Sequence, residues 1–410
     1  MILTKLDAAI GRVVSSGNCS GCGMCSRLDD GLQMVQDDQG FCRPFRARPG
    51  QQVETALEDF RRGCPGVIVR AASPAGSTRH PMLGPVHQAW AAWATDPEIR
   101  FRGSSGGALT ALSVWLMETG QAHDTIGARV DSAEPRRTVS VRILTRDEAV
   151  AAAGSRYAPT SNAALGPRAD GAFVGKPCEV SAVRATSGVG AHPLLLSFFC
   201  AGTPSQKATE SLVEQLGIAT DTPLRDLWYR GRGWPGEFTV VPDHGDTVTT
   251  TYADSWGRSL GPAIQWRCKI CPDGVGEHAD IAAADFWKVD AQGYPLFNET
   301  DGMSALVART LRGRDIVERA LEAGVLDGYS ITPDEIAAVQ PSQVKRRTML
   351  AARLMGTVAA RQIIPSFPSF GLGRLAASDA RAAVSVARAT FLRVRAGRRS
   401  DGASRKSRQK

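Results

Sequence analysis

The stretch Asn18–Cys25, with the sequence NCSGCGMC, carries cysteines at Cys19, Cys22 and Cys25. Its glycines let the backbone curl, so that the three sulfurs can face one point. A fourth cysteine follows at Cys64, directly before a proline. Three cysteines spaced in this way, with a remote Cys-Pro, are typical of a cubane [4Fe–4S] cluster. The spacing favours a cluster over zinc, because structural zinc sites usually combine two separated cysteine pairs.

The cysteine count also bears on the compartment. The 410-residue chain contains nine cysteines. An odd number in a long chain argues against a disulfide framework and favours metal ligation in a reducing compartment. The sequence opens without a secretory leader pattern, and its apolar runs, such as Leu194–Phe199, are too short to cross a bilayer. We therefore expect a cytoplasmic protein.

The formal net charge of +8 comes from the C-terminal end of the chain. Residues 374–410 hold eleven Lys and Arg against two Asp, so the rest of the chain carries about −1. Arginines recur there every seven residues, at Arg374, Arg381, Arg388 and Arg395. This spacing predicts a basic stripe along one helix. The tail could contact an anionic partner or a membrane surface, or form a solvated helix with a frayed end. We expect disorder after Gly397 and no nucleic-acid partner.

A Gly/Ser loop, Phe101–Gly107, follows a predicted strand over Gln88–Ala94. After the loop, Leu109, Leu112 and Leu116 share one face of a predicted helix. A helix start beside such a loop offers free amides and a helix dipole to an anion, and small residues let a phosphate approach the backbone. The same pattern is also typical of a tight capped turn.

Two further predicted strands, Ala172–Val174 and Leu194–Phe199, each run into a loop that contains a cysteine, Cys178 and Cys200. A helical stretch follows each loop, the second to about Gly217. Because successive strand–loop–helix units make parallel neighbours, both cysteines should lie at the carboxyl edge where open α/β sheets bind ligands. Each cysteine could instead be a small buried hydrophobe.

A C-x2-C pair at Cys268 and Cys271 completes the cysteine pattern. Together with Cys178 and Cys200, this pair could supply four thiolates to a second cluster, with zinc or free thiols as the alternatives. Cys42 is then left over, as a plain buried residue.

The block Trp228–Trp234, with the sequence WYRGRGW, combines aromatic and basic residues. Tryptophans can stack on a flat ring, and arginines can hold phosphates. The block can equally be a packed corner of the fold.

Taken in order, these segments resemble the coenzyme F420 hydrogenase/dehydrogenase beta-subunit family, which includes relatives of 7-hydroxymethyl chlorophyll a reductase. The resemblance runs from about Cys19 to Phe370 and leaves out the basic tail. Two positions depart from the family, Ala201 where relatives often have histidine and Ala284 where they often have glycine, and both bear on the choice of substrate. The matching segments are Cys19–Cys25, Cys64–Gly66, Ser104–Gly107, Gly154–Pro159, Gly175–Cys178, Cys200–Gly202, Cys268–Cys271 and Ala279–Ile281.

The resemblance implies FAD and one or two [4Fe–4S] clusters. Arg230 and Arg232 are candidates to hold the phosphate and acidic tail of coenzyme F420. The implied partners are coenzyme F420 or another hydride acceptor, and a ferredoxin or a partner redox subunit, in an oligomeric protein. The other expected cofactor-binding residues are Ser104, Ser105, Gly106, Gly107, Ser155, Tyr157 and Lys176. The expected metal ligands are Cys19, Cys22, Cys25, Cys64, Cys178, Cys200, Cys268 and Cys271.

We therefore predict an α/β protein in four parts. Residues 1–80 form an N-terminal iron–sulfur segment with little regular structure, joined by a linker over Ala71–Pro85 to an FAD-binding core of parallel or mixed sheet at 81–330. A helical region at 331–373 and a basic tail at 374–410 follow. The expected function is electron transfer by an iron–sulfur flavoprotein oxidoreductase. The alternatives are a ferredoxin-fed reductase of a biosynthetic intermediate, such as a polysaccharide-linked one, and a non-catalytic interaction module stabilised by zinc.

Overall fold

A computed structural model describes residues 4–50, 55–188, 192–290, 296 and 301–407, with side chains through residue 397. The helices are α1 Lys5–Ser15, α2 Cys25–Leu28, α3 Ala56–Gly63, α4 Pro97–Arg102, α5 Ala108–Glu118, α6 Arg146–Ala151, α7 Pro177–Thr186, α8 Gln206–Gln215, α9 Trp266–Lys269, α10 Leu311–Glu322, α11 Pro333–Ala338, α12 Pro341–Thr348, α13 Leu350–Ala359, α14 Leu372–Ala377 and α15 Ala380–Ser407. The strands are β1 Leu32–Gln36, β2 Cys42–Arg46, β3 Thr78–His80, β4 Gly84–Val86, β5 Gln88–Ala94, β6 Thr125–Val130, β7 Thr138–Ile143, β8 Ala172–Gly175, β9 Leu194–Phe198, β10 Leu224–Trp228, β11 Phe238–Pro242, β12 Val248–Thr250, β13 Ile281–Asp285, β14 Ser304–Ala308 and β15 Leu326–Ser330.

An eight-stranded mixed sheet organises the chain, in the order β15-β5-β14-β13-β9-β8-β6-β7. Its central strands β13, β9, β8 and β6 are parallel to their neighbours in that group. The flanking strands pair antiparallel. The predicted strand over Gln88–Ala94 and the predicted parallel pair β8 and β9 are confirmed. Beside this sheet, β10, β11 and β12 form a separate three-stranded antiparallel sheet.

Helices cover both faces of the central sheet. Because successive strand residues point to opposite sides, neighbouring residues of one strand pack against different helices. Leu194 and Leu196 of β9 pack into one apolar cluster with residues of α5 and α10. Leu195, between them, packs into another with Val180 and Val183 of α7. The burial of Leu194, Leu195 and Leu196 on alternate faces therefore explains this apolar run, which is typical of a parallel strand covered on both faces.

The N-terminal segment is more regular than predicted. Helix α1 begins with a capping box between Thr4 and Asp7, and α1, α3 and the β1–β2 hairpin surround the cysteine loop. The predicted linker over Ala71–Pro85 also differs, since β3 and β4 form a short hairpin within it. The prediction gave too much weight to glycine and proline and missed the helical spacing of apolar residues in α1, at Leu6, Ala9, Ile10 and Val13.

Helices α13 and α15, near the end of the described chain, pack tightly on each other. A Cβ added at Gly356 of α13 would overlap the carbonyl oxygen of Ala387 of α15 and lie 3.1 Å from Cβ of Thr390. The predicted arginine stripe is interrupted, because Arg374 lies in α14 and the other three lie in α15, where they are exposed. The disorder predicted after Gly397 also differs from the structure, in which α15 continues to Ser407. No helix in the described ranges is both long and apolar enough to span a membrane.

Replacing Gly356 by valine is expected to lower the free energy of unfolding by about 1–3 kcal/mol, the usual cost of overpacking. The measurement is denaturant unfolding followed by circular dichroism. Gly11→Val in α1 is the control, because nothing lies within 4 Å of a Cβ at Gly11. Equal destabilisation by both changes would contradict a packing origin and indicate a general effect of valine in helices.

Candidate functional site

A cavity of about 490 Å³ opens at the carboxyl edge of the parallel strands. Val174, Phe198 and Asp285, at the ends of β8, β9 and β13, line it together with the loop before α5. This is the edge at which open α/β sheets bind ligands, and the volume suits a small molecule or a cofactor.

The Gly/Ser loop places the start of α5 at this cavity. Gly107 is the N-cap residue of α5, has a φ of 72° and makes no side-chain cap. Ala108, Leu109 and Thr110, whose amides are the first of the helix, line the cavity. These amides and the helix dipole favour an anion. Whether or not a ligand binds here, position 107 requires glycine, because a Cβ there would lie 2.7 Å from the carbonyl oxygen of Ile99.

The loop before α5 and the segment after α6, both expected to bind FAD, meet in the structure. Ser104 Oγ and Ser155 Oγ are 2.7 Å apart, and both residues line the cavity. Ser105 Oγ lies 2.7 Å from Ser304 Oγ, and the same Ser304 hydroxyl accepts the Gly106 amide at 2.9 Å. The Gly106 amide is therefore already hydrogen-bonded, and Gly106 lies behind the cavity wall.

Aromatic rings form one side of the cavity. Tyr157, Tyr252, Trp256 and Trp287 line it, and the ring centres of Tyr157 and Trp256 are 4.8 Å apart. Burial raises the pKa of Tyr157 and of Tyr252 above the usual range, so both phenols stay protonated near neutral pH. Such a wall excludes water and offers ring faces to a flat ligand.

Arg230 stands beside this aromatic wall, 3% exposed. Its Nη1 donates to Asp285 Oδ2 at 2.7 Å, and its Nε donates to the carbonyl oxygen of Pro235 at 2.8 Å. Its guanidinium carbon lies 4.5 Å from the ring centre of Trp287. Burial disfavours the cation, but the carboxylate of Asp285 raises the pKa of Arg230 above its usual value. Its Nη2 is buried without a hydrogen-bond partner in the described structure. An unpaired buried donor is costly, and it points to an acceptor supplied by a ligand.

Arg232, the second expected anion-binding arginine, does not line the cavity. Its Nη2 donates to Asp226 Oδ2 at 2.6 Å, and its guanidinium carbon lies 3.7 Å from the ring centre of Trp228. The structure therefore separates the two arginines, and only Arg230 faces the ligand space.

Lys176 lines the cavity, but protein atoms already satisfy its ammonium group. Its Nζ donates to Glu179 Oε1 at 2.6 Å, to Thr160 Oγ1 at 2.8 Å and to the Thr160 carbonyl oxygen at 3.1 Å. Burial opposes the charge, yet Glu179 raises the pKa of Lys176 above its usual value. Sequence reasoning missed Glu179, although its position three residues after Lys176 is that of a capping box at the start of α7.

The four N-terminal cysteines gather around one small apolar cavity of about 20 Å³, lined by Cys19, Cys22, Cys25 and Cys64. Burial raises the pKa of Cys22 to about 11 and that of Cys25 well above the usual range. The cysteines therefore share one cavity, and their thiols are neutral near neutral pH. No three His, Cys, Asp or Glu side chains in the described chain are grouped as for a bound metal ion.

A second group of thiols borders the cavity through Cys200. Burial raises the pKa of Cys200 to about 12, and the neighbouring sulfurs of Cys268 and Cys271 add to that rise. Cys178 is half-buried; burial raises its pKa well above the usual range, and Cys22 and Cys200 both add to that rise. Cys42, expected to be a plain buried residue, is half-buried in β2.

Comparison with known proteins places this chain in a family. Residues 89–165 match the N-terminal domain, and residues 170–334 the C-terminal domain, described for the coenzyme F420 hydrogenase/dehydrogenase beta subunit. The two ranges together span more than half of the chain. The chain belongs to the coenzyme F420 hydrogenase/dehydrogenase beta-subunit family. It is thus a member of a family of oxidoreductases.

The coenzyme F420 hydrogenase subunit beta of Methanococcus voltae is 26% identical over 266 residues, which cover 61% of this chain and 86% of that protein. The subunit of the same name from Methanothermobacter thermautotrophicus is 25% identical, over 60% of this chain and 85% of that protein. A chain from the F420-reducing [NiFe] hydrogenase complex of Methanosarcina barkeri, solved after xenon derivatization, has 23% identity and a TM-score of 0.48, over 66% of this chain and 95% of that chain.

The matched beta-subunit domains begin at residue 89 and end at residue 334. The expected resemblance from Cys19 to Phe370 is thus confirmed for the central part of the chain. The N-terminal cysteine loop and the helices α12–α15 lie outside these domains.

The groups expected for a beta-subunit family member fit the residues present. The cavity combines the free helix start of α5, an aromatic wall and the unpaired Nη2 of Arg230, which suits a flavin and an anionic ligand. The four N-terminal cysteines line one cavity, and soft thiolate ligands suit iron. Since the raised pKa of Cys22 keeps its thiol neutral, iron binding there must release a proton.

Proposed function

We propose that this family member is an iron–sulfur flavoprotein that passes electrons between [4Fe–4S] clusters, FAD and a hydride acceptor or donor such as coenzyme F420. The observation that carries the proposal is the convergence on one cavity of the α5 start, the Ser104–Ser155 contact, Arg230 and the Cys200 loop. When bound there, FAD would supply the step that pairs single electrons into a hydride.

Each part of the site has a role in this proposal. The amides of Ala108, Leu109 and Thr110 would hold the flavin pyrophosphate at the start of α5. The rings of Tyr157 and Trp287 would exclude water beside the flat reactants. Cys19, Cys22, Cys25 and Cys64 would hold one cluster, and Cys200, Cys268 and Cys271, with Cys178 as the fourth ligand, a second.

Arg230 would hold the hydride acceptor. Its free Nη2 can donate to a phosphate or carboxylate, while Asp285 keeps the guanidinium plane fixed. Because Asp285 already neutralises one cation, the site favours a ligand that accepts a directed hydrogen bond over one held by net charge alone.

The test of the function begins with protein purified without oxygen and assayed for iron, sulfide and flavin. The reduced protein is then mixed with coenzyme F420, and bleaching of the deazaflavin absorbance is followed. Bleaching supports F420 as the acceptor. If the reduced protein is oxidised only by another acceptor, such as a polysaccharide-linked intermediate, the protein is still an oxidoreductase but coenzyme F420 is not its acceptor. Protein with neither iron nor flavin would overturn the proposal and favour a non-catalytic zinc-stabilised module.

Arg230→Lys is expected to raise the KM for coenzyme F420 roughly 10- to 100-fold, since lysine keeps the charge next to Asp285 but cannot donate two directed hydrogen bonds. The measurement is steady-state kinetics with variant protein of normal flavin content. Arg232→Lys is the matched control, because Arg232 lies outside the cavity against Trp228, and its KM should stay within about twofold. A larger effect at Arg232 than at Arg230 would contradict the assignment.

A further inference from the structure

A buried arginine of α9 connects the two cysteine groups. Arg267 stands directly before Cys268 of the second group, and its side chain reaches the part of the chain that carries Cys64 of the first. Its Nη2 and Nε both donate to the carbonyl oxygen of Pro65, at 2.9 and 3.2 Å. The guanidinium group is thus held one residue away from a cysteine that lines the N-terminal cavity.

Gln265, two residues before Arg267, holds the same segment against the N-terminal cysteine loop. Its Nε2 donates at 2.9 Å to the carbonyl oxygen of Ser20, which lies inside that loop. Its own carbonyl oxygen accepts the amide of Cys268 at 3.0 Å. Gln265 and Arg267 are both buried, so two side chains of one short segment fix the position of the guanidinium group beside the loop.

The charge of Arg267 lies deep in the protein, since the residue is only 2% exposed. Besides the Pro65 carbonyl group, its guanidinium carbon lies 5.2 Å from the centre of the Phe367 ring. Among the described residues, Arg267 forms no ion pair with a carboxylate, whereas Arg46, on the hairpin beside the same cysteine loop, is paired with Asp29 at 2.7 Å. A buried cation without an opposite charge is costly, and carbonyl dipoles or a ring face compensate it only in part.

A [4Fe–4S] cluster at the N-terminal cysteines would supply the missing negative charge. Four thiolates outweigh the positive charge of the iron–sulfide core, so such a cluster is anionic, and its one-electron reduction adds a further negative charge. Charges interact strongly in a buried and weakly polar site. A cation held beside Cys64 therefore stabilises the bound cluster, and it stabilises the reduced form more than the oxidised form.

We propose that Arg267 is the buried counter-charge of the N-terminal cluster and raises the reduction potential of that cluster. This inference rests on the proposed function. The alternative is a structural role, in which the two hydrogen bonds of Arg267 only tie α9 to Pro65. The two roles differ in what lysine can replace, because lysine keeps the charge but lacks the planar fork that makes both hydrogen bonds.

The test is a redox titration of the anaerobic protein with dithionite, which gives one electron to each cluster that it reduces. The N-terminal cluster is followed by the EPR signal that Cys22→Ser lacks. At a fixed potential, Arg267→Gln should lower the ratio of reduced to oxidised cluster about tenfold, or about 59 mV for one electron. Arg267→Lys should keep this ratio within about threefold of the unaltered protein.

Arg309→Gln is the matched control for the loss of a buried arginine. Arg309 is also fully buried and also donates to backbone carbonyl oxygens, those of Pro85 at 2.8 Å and Val275 at 2.6 Å among them. None of its described hydrogen-bond acceptors belongs to the N-terminal cysteine loop or to Pro65. Arg309→Gln should therefore leave the ratio for the N-terminal cluster within about twofold.

An unshifted potential in Arg267→Gln protein with full iron content would overturn the counter-charge and leave the proposed function intact. Equal shifts in Arg267→Gln and Arg267→Lys would overturn it in favour of the structural role. If Arg267→Gln loses the N-terminal iron, Arg267→Lys decides: retained iron with an unaltered potential supports the counter-charge, and loss of iron in both variants overturns it. Unaltered protein that contains neither iron nor sulfide would discard the proposed function and the counter-charge together.

Discussion

The Cys22→Ser variant is expected to purify with about half of the iron of the unaltered protein, because one of two four-iron clusters should be lost. Serine is a harder and less acidic ligand than cysteine and holds iron poorly. Cys22 lines the small cavity with the three other N-terminal cysteines, so its replacement opens a cluster there to water. Iron and sulfide assays with low-temperature EPR of the reduced protein give the measurement. Cys268→Ser should remove the other half, with a different EPR signal.

Cys42→Ser is the matched control for this loss. Cys42 is close to the cluster loop, since a Cβ at Gly21 would lie 2.9 Å from the Cys42 carbonyl oxygen. Its thiol is not among those that line the N-terminal cavity, so Cys42→Ser should keep its iron. Full iron content in Cys22→Ser would contradict the N-terminal cluster. Iron loss in Cys42→Ser would show that the ligands are assigned to the wrong cysteines.

The sequence predicted the parallel core because its signals are local. Short, mostly apolar runs followed by small loops and helical stretches describe β8 and β9 within about thirty residues. The position of both cysteine loops at the carboxyl edge then follows from strand direction alone. In the same way, the Gly/Ser loop before α5 is visible in the sequence, whereas the cavity that Thr110 lines at the start of α5 is formed only by the folded chain.

The two arginines show what the sequence could not predict. Arg230 and Arg232 are separated by one glycine and share the same aromatic neighbourhood in the sequence. Which of them faces inward depends on Asp285, 55 residues away from Arg230, and on a left-handed backbone at Arg232, where φ is 58°. Neither a distant partner nor an unusual φ at a non-glycine residue leaves a local pattern.

The C-terminal basicity illustrates a different limit. A seven-residue spacing of arginines predicts a stripe on one continuous helix, but the helix breaks between α14 and α15. Arg346 and Arg353 lie upstream of the predicted tail, and tertiary packing brings them to the carbonyl oxygens of Cys268 and Lys269. Counting charges along the sequence therefore identified the excess of positive charge but not its position in the fold.

Thr110→Asp is expected to weaken FAD binding about 100-fold or more while leaving the fold intact or slightly more stable. Thr110 lies in the first turn of α5 and lines the cavity. A carboxylate there would face the flavin pyrophosphate, and two like charges a few ångströms apart in a partly buried site repel by several kcal/mol. The same carboxylate suits the positive end of the helix, which gains about 0.3–1 kcal/mol. Flavin content and titration of the apoprotein with FAD give the affinity, and denaturant unfolding of the apoprotein gives the stability.

Weaker FAD binding together with an unchanged or higher free energy of unfolding would distinguish repulsion of the ligand from misfolding. Thr110→Asn is the control, because asparagine has nearly the shape of aspartate without its charge, and it should keep FAD within about tenfold of the unaltered affinity. Gly107→Asp is a weaker test, since a Cβ at Gly107 would lie 2.7 Å from the Ile99 carbonyl oxygen and would strain the turn whatever binds there. Loss of flavin in both Thr110 variants, with a lowered free energy of unfolding, would indicate damage to the helix. Stoichiometric FAD in Thr110→Asp would show that the start of α5 holds no phosphate and that the Gly/Ser loop is only a turn.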